Sequence, residues 1–290
     1  MSSKKQFDVK LKSLRNTEKM ARTMKLVAMS KLYRAQENQR RAKFYAQNLQ
    51  ELIRRLAATV DSAIHPLFVV RPAVKNILIL VMTSDKGLCG SFNNSLCKGV
   101  RVWIENNKGK YQQIDLSFCG KRGWMFFRKL ANVRTYYEGA TVRPDFTAAK
   151  KIGADVSEDF LSGRYDEIYL AYNVYHSPLS QTATFEKILS VEPQELVTGG
   201  KKISTQYIFE PAEKELFEFL VPKYMFFKIH FALLENAAGE HAARMTAMDS
   251  ASKNAKELIA HYTLLRNRAR QAAITKELIE IVSGAEALKG

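Results

Sequence analysis

Helix-breaking residues are concentrated in the middle of this chain and nearly absent from its ends. The first proline is Pro66 and the first glycine is Gly87, so residues 1–65 contain neither breaker. From residue 223 to residue 283 there is one glycine, Gly239, and no proline. Glycine and proline are the residues that most reliably end a helix, so two long helices, one at each end, are expected.

The N-terminal stretch carries a 3,4 spacing. Leu11, Leu14, Glu18, Ala21, Lys25, Ala28, Leu32, Ala35, Gln39, Ala42, Ala46, Leu49, Ile53, Leu56 and Val60 fall on one stripe, and 12 of these 15 are apolar. A seam sustained that far reads as a coiled-coil helix. At about 1.5 Å per residue it would span roughly 85 Å, longer than a small domain is wide, so it needs another rod to lie against. The C-terminal stretch offers one: Phe227, Phe231, Leu234, Ala238, His241, Met245, Met248, Ser252, Ala255, Ile259 and Tyr262 share the spacing. Leu258, Leu265, Ala269 and Ala272 form a neighbouring stripe. A second copy of the chain is the alternative partner. The internal pair is preferred because both rods have similar reach.

Between the rods the pattern changes. Residues 77–83 (ILILVMT) are a continuous apolar run, as in a strand buried on both faces. Further strands are expected at 114–118, 133–137, 167–174 and 184–191, with helices at 91–105, 121–130 and 145–161. Alternation of this kind predicts an α/β sheet with parallel connections. The expected domains are 1–65 (N-terminal coiled-coil helix), 66–211 (Rossmann-like α/β) and 212–290 (C-terminal coiled-coil helix).

Among the 290 residues, Lys and Arg outnumber Asp and Glu by 45 to 29, a net charge of +16. Residues 1–65 alone hold 15 basic and 5 acidic side chains, a net +10. The excess therefore sits on the first rod and suggests an anionic partner. The three cysteines, Cys89, Cys97 and Cys119, have neither metal-site spacing nor an even count, which points to a reducing compartment. The most apolar stretch, residues 216–234, is interrupted by Glu218, Pro222, Lys223, Lys228 and His230 and is not a membrane span. The first ten residues carry no secretory h-region and lack the acid-poor character of a transit peptide.

The turn Ser84-Asp85-Lys86-Gly87-Leu88-Cys89-Gly90-Ser91 follows the first strand and opens a helix, where a Rossmann domain would bind phosphate. Its glycines fit neither the dinucleotide nor the P-loop spacing. A tight turn, or a protein contact on that turn, is the better reading. Cys89 at a helix N-terminus could be a nucleophile, but no histidine lies in a recognisable partner motif. Glu240-His241 lacks metal spacing, so a rod-surface histidine is expected. The basic rod could grip nucleic acid, yet Phe7, Tyr33, Phe44 and Tyr45 are too sparse for a stacking surface. A rod inside a protein sleeve with acidic loops suits the pattern better. A basic coiled-coil nucleic-acid binder and a stand-alone Rossmann-type enzyme remain the competing readings.

Three segments carry a resemblance. Residues 15–36 (RNTEKMARTMKLVAMSKLYRAQ), the turn SDKGLCG at 84–90, and residues 240–284, with NRARQAAITKELIEIVSG, resemble the gamma subunits of F-type ATP synthases. Residues 100–210 are similar in layout only. The resemblance implies a central rotor shaft: an antiparallel, left-handed coiled coil inside a ring of three alpha and three beta subunits, with an α/β domain on the c-ring. It implies no catalytic residue, cofactor or metal. It also implies alpha, beta, epsilon and c-ring partners, no nucleic acid and no membrane insertion. The expected location is the cytoplasmic face of a bacterial inner membrane, or the matrix side of the mitochondrial inner membrane.

Residue by residue, the resemblance implies beta-subunit contact at Met24, Lys86, Cys89, Arg244, Arg268, Gln271 and Thr275. It implies c-ring contact at Tyr207 and Glu210. Seam packing is the competing role for Met24, and solvent exposure for Gln271 and Thr275.

Overall fold

The computed structural model describes residues 2–59, 66–68, 71–190 and 213–287. Helix α1 is Ser2–Thr59, and a single 3-10 turn follows at Pro66–Phe68. The central elements are β1 Asn76–Met82, α2 Phe92–Asn107, β2 Gln113–Cys119, α3 Lys121–Phe127, β3 Asn132–Tyr137, α4 Phe146–Leu161, β4 Glu167–Ser177 and β5 Ser180–Leu189. Helix α5 is Glu213–Ala287. The fold is mixed α/β, with a long helix at each end and a mainly parallel sheet between them. By compactness the chain divides into Met1–Ala28 with Met245–Gly290, and Met29–Arg244.

In the unit formed by Met29–Arg244, the sheet order is β3-β2-β1-β4-β5. β1 pairs in parallel with β2 and β4, and β2 in parallel with β3. The ILILVM run of β1 is buried on both faces, as its composition predicts. Ile77, Ile79 and Val81 face a core built with Leu96 and Val100 of α2 and Phe127 of α3. Leu78, Leu80 and Met82 face the other core, with Ile152 and Val156 of α4, Ile229 and Leu233 of α5, and Leu49 and Ile53 of α1.

One expectation is corrected. The fifth strand does not enter by a parallel crossover: β5 is Ser180–Leu189, antiparallel to β4 across a tight turn at Pro178-Leu179. An alternating pattern reveals a strand but not its direction, and a two-residue connection allows only a hairpin. Pro222 lies inside α5, within the expected C-terminal helix of 212–290. The helix tolerates the lost N–H because neighbouring Val221, Tyr224 and Met225 are buried in the core.

Gly239 is the lone glycine of the C-terminal stretch, and its reason is steric. A Cβ there would lie 3.0 Å from Cε2 of Phe92, the first residue of α2. Within this unit α1 runs antiparallel to α5: Gln39 bonds Glu235, and the rings of Tyr45 and Phe227 stack at 4.2 Å. Leu32, Ala35, Leu49 and Ile53 of the expected stripe are buried, as are Leu234 and Ala238 opposite.

In the unit formed by Met1–Ala28 and Met245–Gly290 the pairing is also antiparallel. Lys25 Nζ lies 2.6 Å from Asp249, Ser252 Oγ donates to Glu18 at 3.5 Å, and Arg266 pairs with Asp8 at 3.6 Å. Leu11, Leu14, Ala21 and Ala28 are buried on one helix, and Met248, Ser252 and Ala255 on the other. The neighbouring stripe is not a seam throughout, because Leu258 and Ala272 are exposed. Val60, and the side chain of Leu56, lie outside the described residues.

Candidate functional site

The strand-to-helix turn after β1 occupies the switch point of the sheet, between β1 and β4, where open α/β sheets bind ligands. Here the position is filled by protein. Arg244 of α5 reaches the turn: Nε and Nη2 donate to the Gly87 carbonyl at 3.3 and 3.2 Å, and Nη2 also donates to the Lys86 carbonyl at 3.3 Å. Asn236 Nδ2 donates to the carbonyl of Thr83 at 3.3 Å. The turn thus offers carbonyls to a guanidinium, not a cradle of N–H groups to a phosphate.

The turn is held from inside as well. Asn93 of α2 accepts the Ser84 N–H at 2.9 Å and donates to Ser84 Oγ at 2.7 Å. Ser84 Oγ donates to the carbonyl of Lys86 at 2.6 Å. Asp85 accepts from the Lys121 N–H, the Tyr136 hydroxyl and, at 2.7 Å, the Thr141 hydroxyl. Gly120, opposite, has φ +107, and a Cβ there would stand 2.2 Å from the Thr83 carbonyl oxygen. Only glycine fits that backbone. The result is a rigid turn that projects Lys86 and Leu88 outward, with Leu88 60% exposed at φ 64.

The charges beneath the turn are balanced. Arg244 pairs with buried Glu240 at 2.7 Å. Burial raises the Glu240 carboxyl, and Arg244 offsets this in part. His241 is pushed down to about 4 by burial, with help from Arg244 and Lys31. Its Nδ1 lies 3.4 Å from Arg244 Nη1, so the neutral ring accepts that donor.

The expected contact residues separate into two groups. Lys86, Cys89 and Arg244 come together at the turn. Two of them are largely covered by their own chain. Cys89 is 2% exposed, with Asn93 Nδ2 3.2 Å from its sulfur, and burial raises its thiol. It is therefore neither a presented side chain nor an activated nucleophile. The side chain of Arg244 is 11% exposed and engaged on the turn. Met24 is half-buried on α1, while Arg268, Gln271 and Thr275 stand exposed on α5. Tyr207 and Glu210 lie outside the described residues.

Sequence reasoning missed a larger set. Every residue of 271–286 is exposed, and Ile274, Leu278, Ile279, Ile281 and Val282 are between 50 and 67% exposed. On α1, Val9, Met20, Leu26 and Val27 are also bare. The signal was present: these are large apolar residues off a stripe already assigned to the seam. Among the described residues no helix is long and apolar enough to cross a membrane, and no cluster of His, Cys, Asp or Glu could hold a metal ion.

A mainly parallel α/β sheet with a long helix before it and another after it in sequence defines the fold class of this chain. Comparison with known proteins agrees. Residues 3–288 match the family model described as ATP synthase. The ATP synthase gamma chain of Trichlorobacter lovleyi is 41% identical over 290 residues, covering all of both chains. The chain belongs to the ATP synthase gamma-chain family. The fold is also that of a chain in the Euglena gracilis mitochondrial ATP synthase OSCP/F1/c-ring structure, with TM-score 0.66, 18% identity, and coverage of 99% of this chain and 95% of that one. A chain of the Tetrahymena thermophila central stalk and c-ring structure gives TM-score 0.58 at 24% identity, covering 80% of this chain and 99% of that one.

Proposed function

We propose that this chain is the rotor of its ATP synthase, passing torque from a proton-driven c-ring to a catalytic ring of three alpha and three beta subunits. Residues 1–65 and 212–290 form the shaft, and residues 66–211 the body. The observation that carries the reading is the bare end of α5. Residues 271–286 expose five large aliphatic side chains that no other described residue covers, and a surrounding protein would supply that cover.

The mechanism follows from symmetry. Three beta subunits of one sequence can differ in state only if something unlike touches each of them. A single shaft in a threefold ring presents a different face to each. It shifts each equilibrium by the difference in its affinity for the two states. Turning the shaft by a third of a turn permutes those states. Arg268, Gln271, Thr275, Met24 and the Lys86 turn are the proposed beta contacts, with Cys89 and Arg244 acting through that turn. Tyr207 and Glu210 are the proposed c-ring contacts. The positive charge of α1 suits acidic partner loops. An epsilon subunit completes the proposed partners. Attachment is peripheral, on the cytoplasmic face of a bacterial inner membrane.

A bead fixed to this chain in a surface-held alpha–beta assembly tests the reading. ATP is expected to drive rotation in one direction in steps of a third of a turn. Steady hydrolysis with a stationary bead would refute it.

A further inference from the structure

The β4–β5 hairpin outruns the rest of the sheet, with strands of 11 and 10 residues against 7 in β1, and its overhang meets both long helices. Glu235 of α5 is 6% exposed and uses both carboxylate oxygens. Oε1 accepts from Gln39 Nε2 of α1 at 2.5 Å, and Oε2 accepts from the Tyr175 N–H of β4 at 2.9 Å. The Tyr175 hydroxyl in turn accepts from Gln36 Nε2 of α1 at 2.9 Å. Two helical turns earlier on α5, Lys228 pairs with Glu186 of β5, which also accepts from Tyr172 of β4. Every one of these residues lies within Met29–Arg244.

We infer that Glu235 is a positioning residue for torque transfer, the node of a clasp by which the hairpin locks α1 and α5 to the sheet. Apolar packing is non-directional, so it resists separation of a helix from a sheet far better than it resists sliding or axial rotation. Hydrogen bonds are directional and fix register. A carboxylate acceptor makes them stronger than neutral ones. Glu235 joins three elements through one side chain, so a twist applied to the sheet reaches both helices together. Sequence reasoning placed no role on this residue.

The inference rests on the rotor reading, and one experiment separates the two. Complete ATP synthase carrying Gln39→Glu is reconstituted into vesicles. ATP hydrolysis and ATP-driven proton uptake are measured side by side. Gln39→Glu sets carboxylate against carboxylate and opens the clasp. Adding Glu235→Gln restores one acceptor for the Tyr175 N–H and one donor for residue 39, with the original charge. Protons moved per ATP are expected to fall at least three-fold in Gln39→Glu, with hydrolysis within two-fold of wild type, and to recover in the exchanged pair. A purely structural role would lower both rates together. An unchanged ratio, a proportional loss, or failure of the exchanged pair to recover would overturn the clasp. If Gln39→Glu does not assemble, Tyr175→Phe, which removes only the bond from Gln36, decides: a ratio lowered about 1.5-fold supports the clasp and an unchanged ratio overturns it. Wild-type vesicles that hydrolyse ATP without proton uptake would instead sink the rotor reading itself.

Discussion

Two stretches of α5 have similar helical character and opposite surroundings. Residues 232–240 (ALLENAAGE) are buried at nine consecutive positions, all round the helix. Residues 271–286 (QAAITKELIEIVSGAE) are exposed at every position. Apolar side chains occur in both. In the first stretch, α1, α2, α4 and the sheet of the same chain supply the cover. In the second, none of the described residues supplies it. Apolar content alone therefore does not say whether a helix is completed by its own chain or by another; the location of the covering atoms does.

The sharpest way to break this comparison is to truncate an equivalent leucine in each stretch. Leu233→Ala removes a fully buried side chain and is expected to cost about 3 kcal/mol in urea unfolding of the full chain. Leu278→Ala should change that stability by less than about 0.5 kcal/mol. Equal losses would erase the distinction.

The next effect concerns pH. The native pKa of His241, about 4, lies below its ordinary value of 6.5. The native state then binds fewer protons than the unfolded state between these values. Stability is full above pH 6.5 and falls as pH drops toward 4. For a ring that keeps some contact with water, the loss is on the order of 2 kcal/mol. His241→Asn should flatten that part of the stability profile, read by thermal unfolding from pH 7 to 4. An unchanged acid slope would show that His241 does not report this buried environment.

A smaller effect belongs to the bare stretch alone. Gln271→Leu with Thr275→Val should lower ATP turnover of the assembled complex about five-fold, roughly 1 kcal/mol in barrier, and leave the thermal midpoint of the isolated chain unchanged. Unaltered turnover would remove these contacts from the account. The smallest is Lys25→Met, which breaks the pair with Asp249 between partly exposed side chains and should cost about 0.5 kcal/mol or less in urea unfolding. A loss several times larger would mean that the pair lies in a drier setting than its exposure indicates.

The parts readable from sequence were those with a local physical cause. The 3,4 seam of Leu11, Leu14, Ala21, Ala28, Leu32 and Ala35 is a consequence of helix pitch, and the ILILVM run is a consequence of burial on two faces. The direction of β5 was not readable, because side-chain alternation is the same in either direction. The turn's outward pair was only half visible. SDKGLCG marked a special turn, but that Arg244 holds it depends on a contact 157 residues away in sequence. Cys89 looked available beside a helix N-terminus and proved buried, its sulfur against Ser84 and Asn93. The bare aliphatics of α5 were countable from the start, but they lie beyond the stripes that end at Tyr262 and Ala272, and only the structure shows them exposed.

Backbone hydrogen exchange across residues 271–286, followed in the isolated chain and after assembly with alpha and beta subunits, tests the central claim most directly. The account predicts rapid exchange in the free chain and slowing by at least a hundred-fold, about 2.7 kcal/mol of added protection, in the assembly. Equal exchange rates in the two states would contradict it.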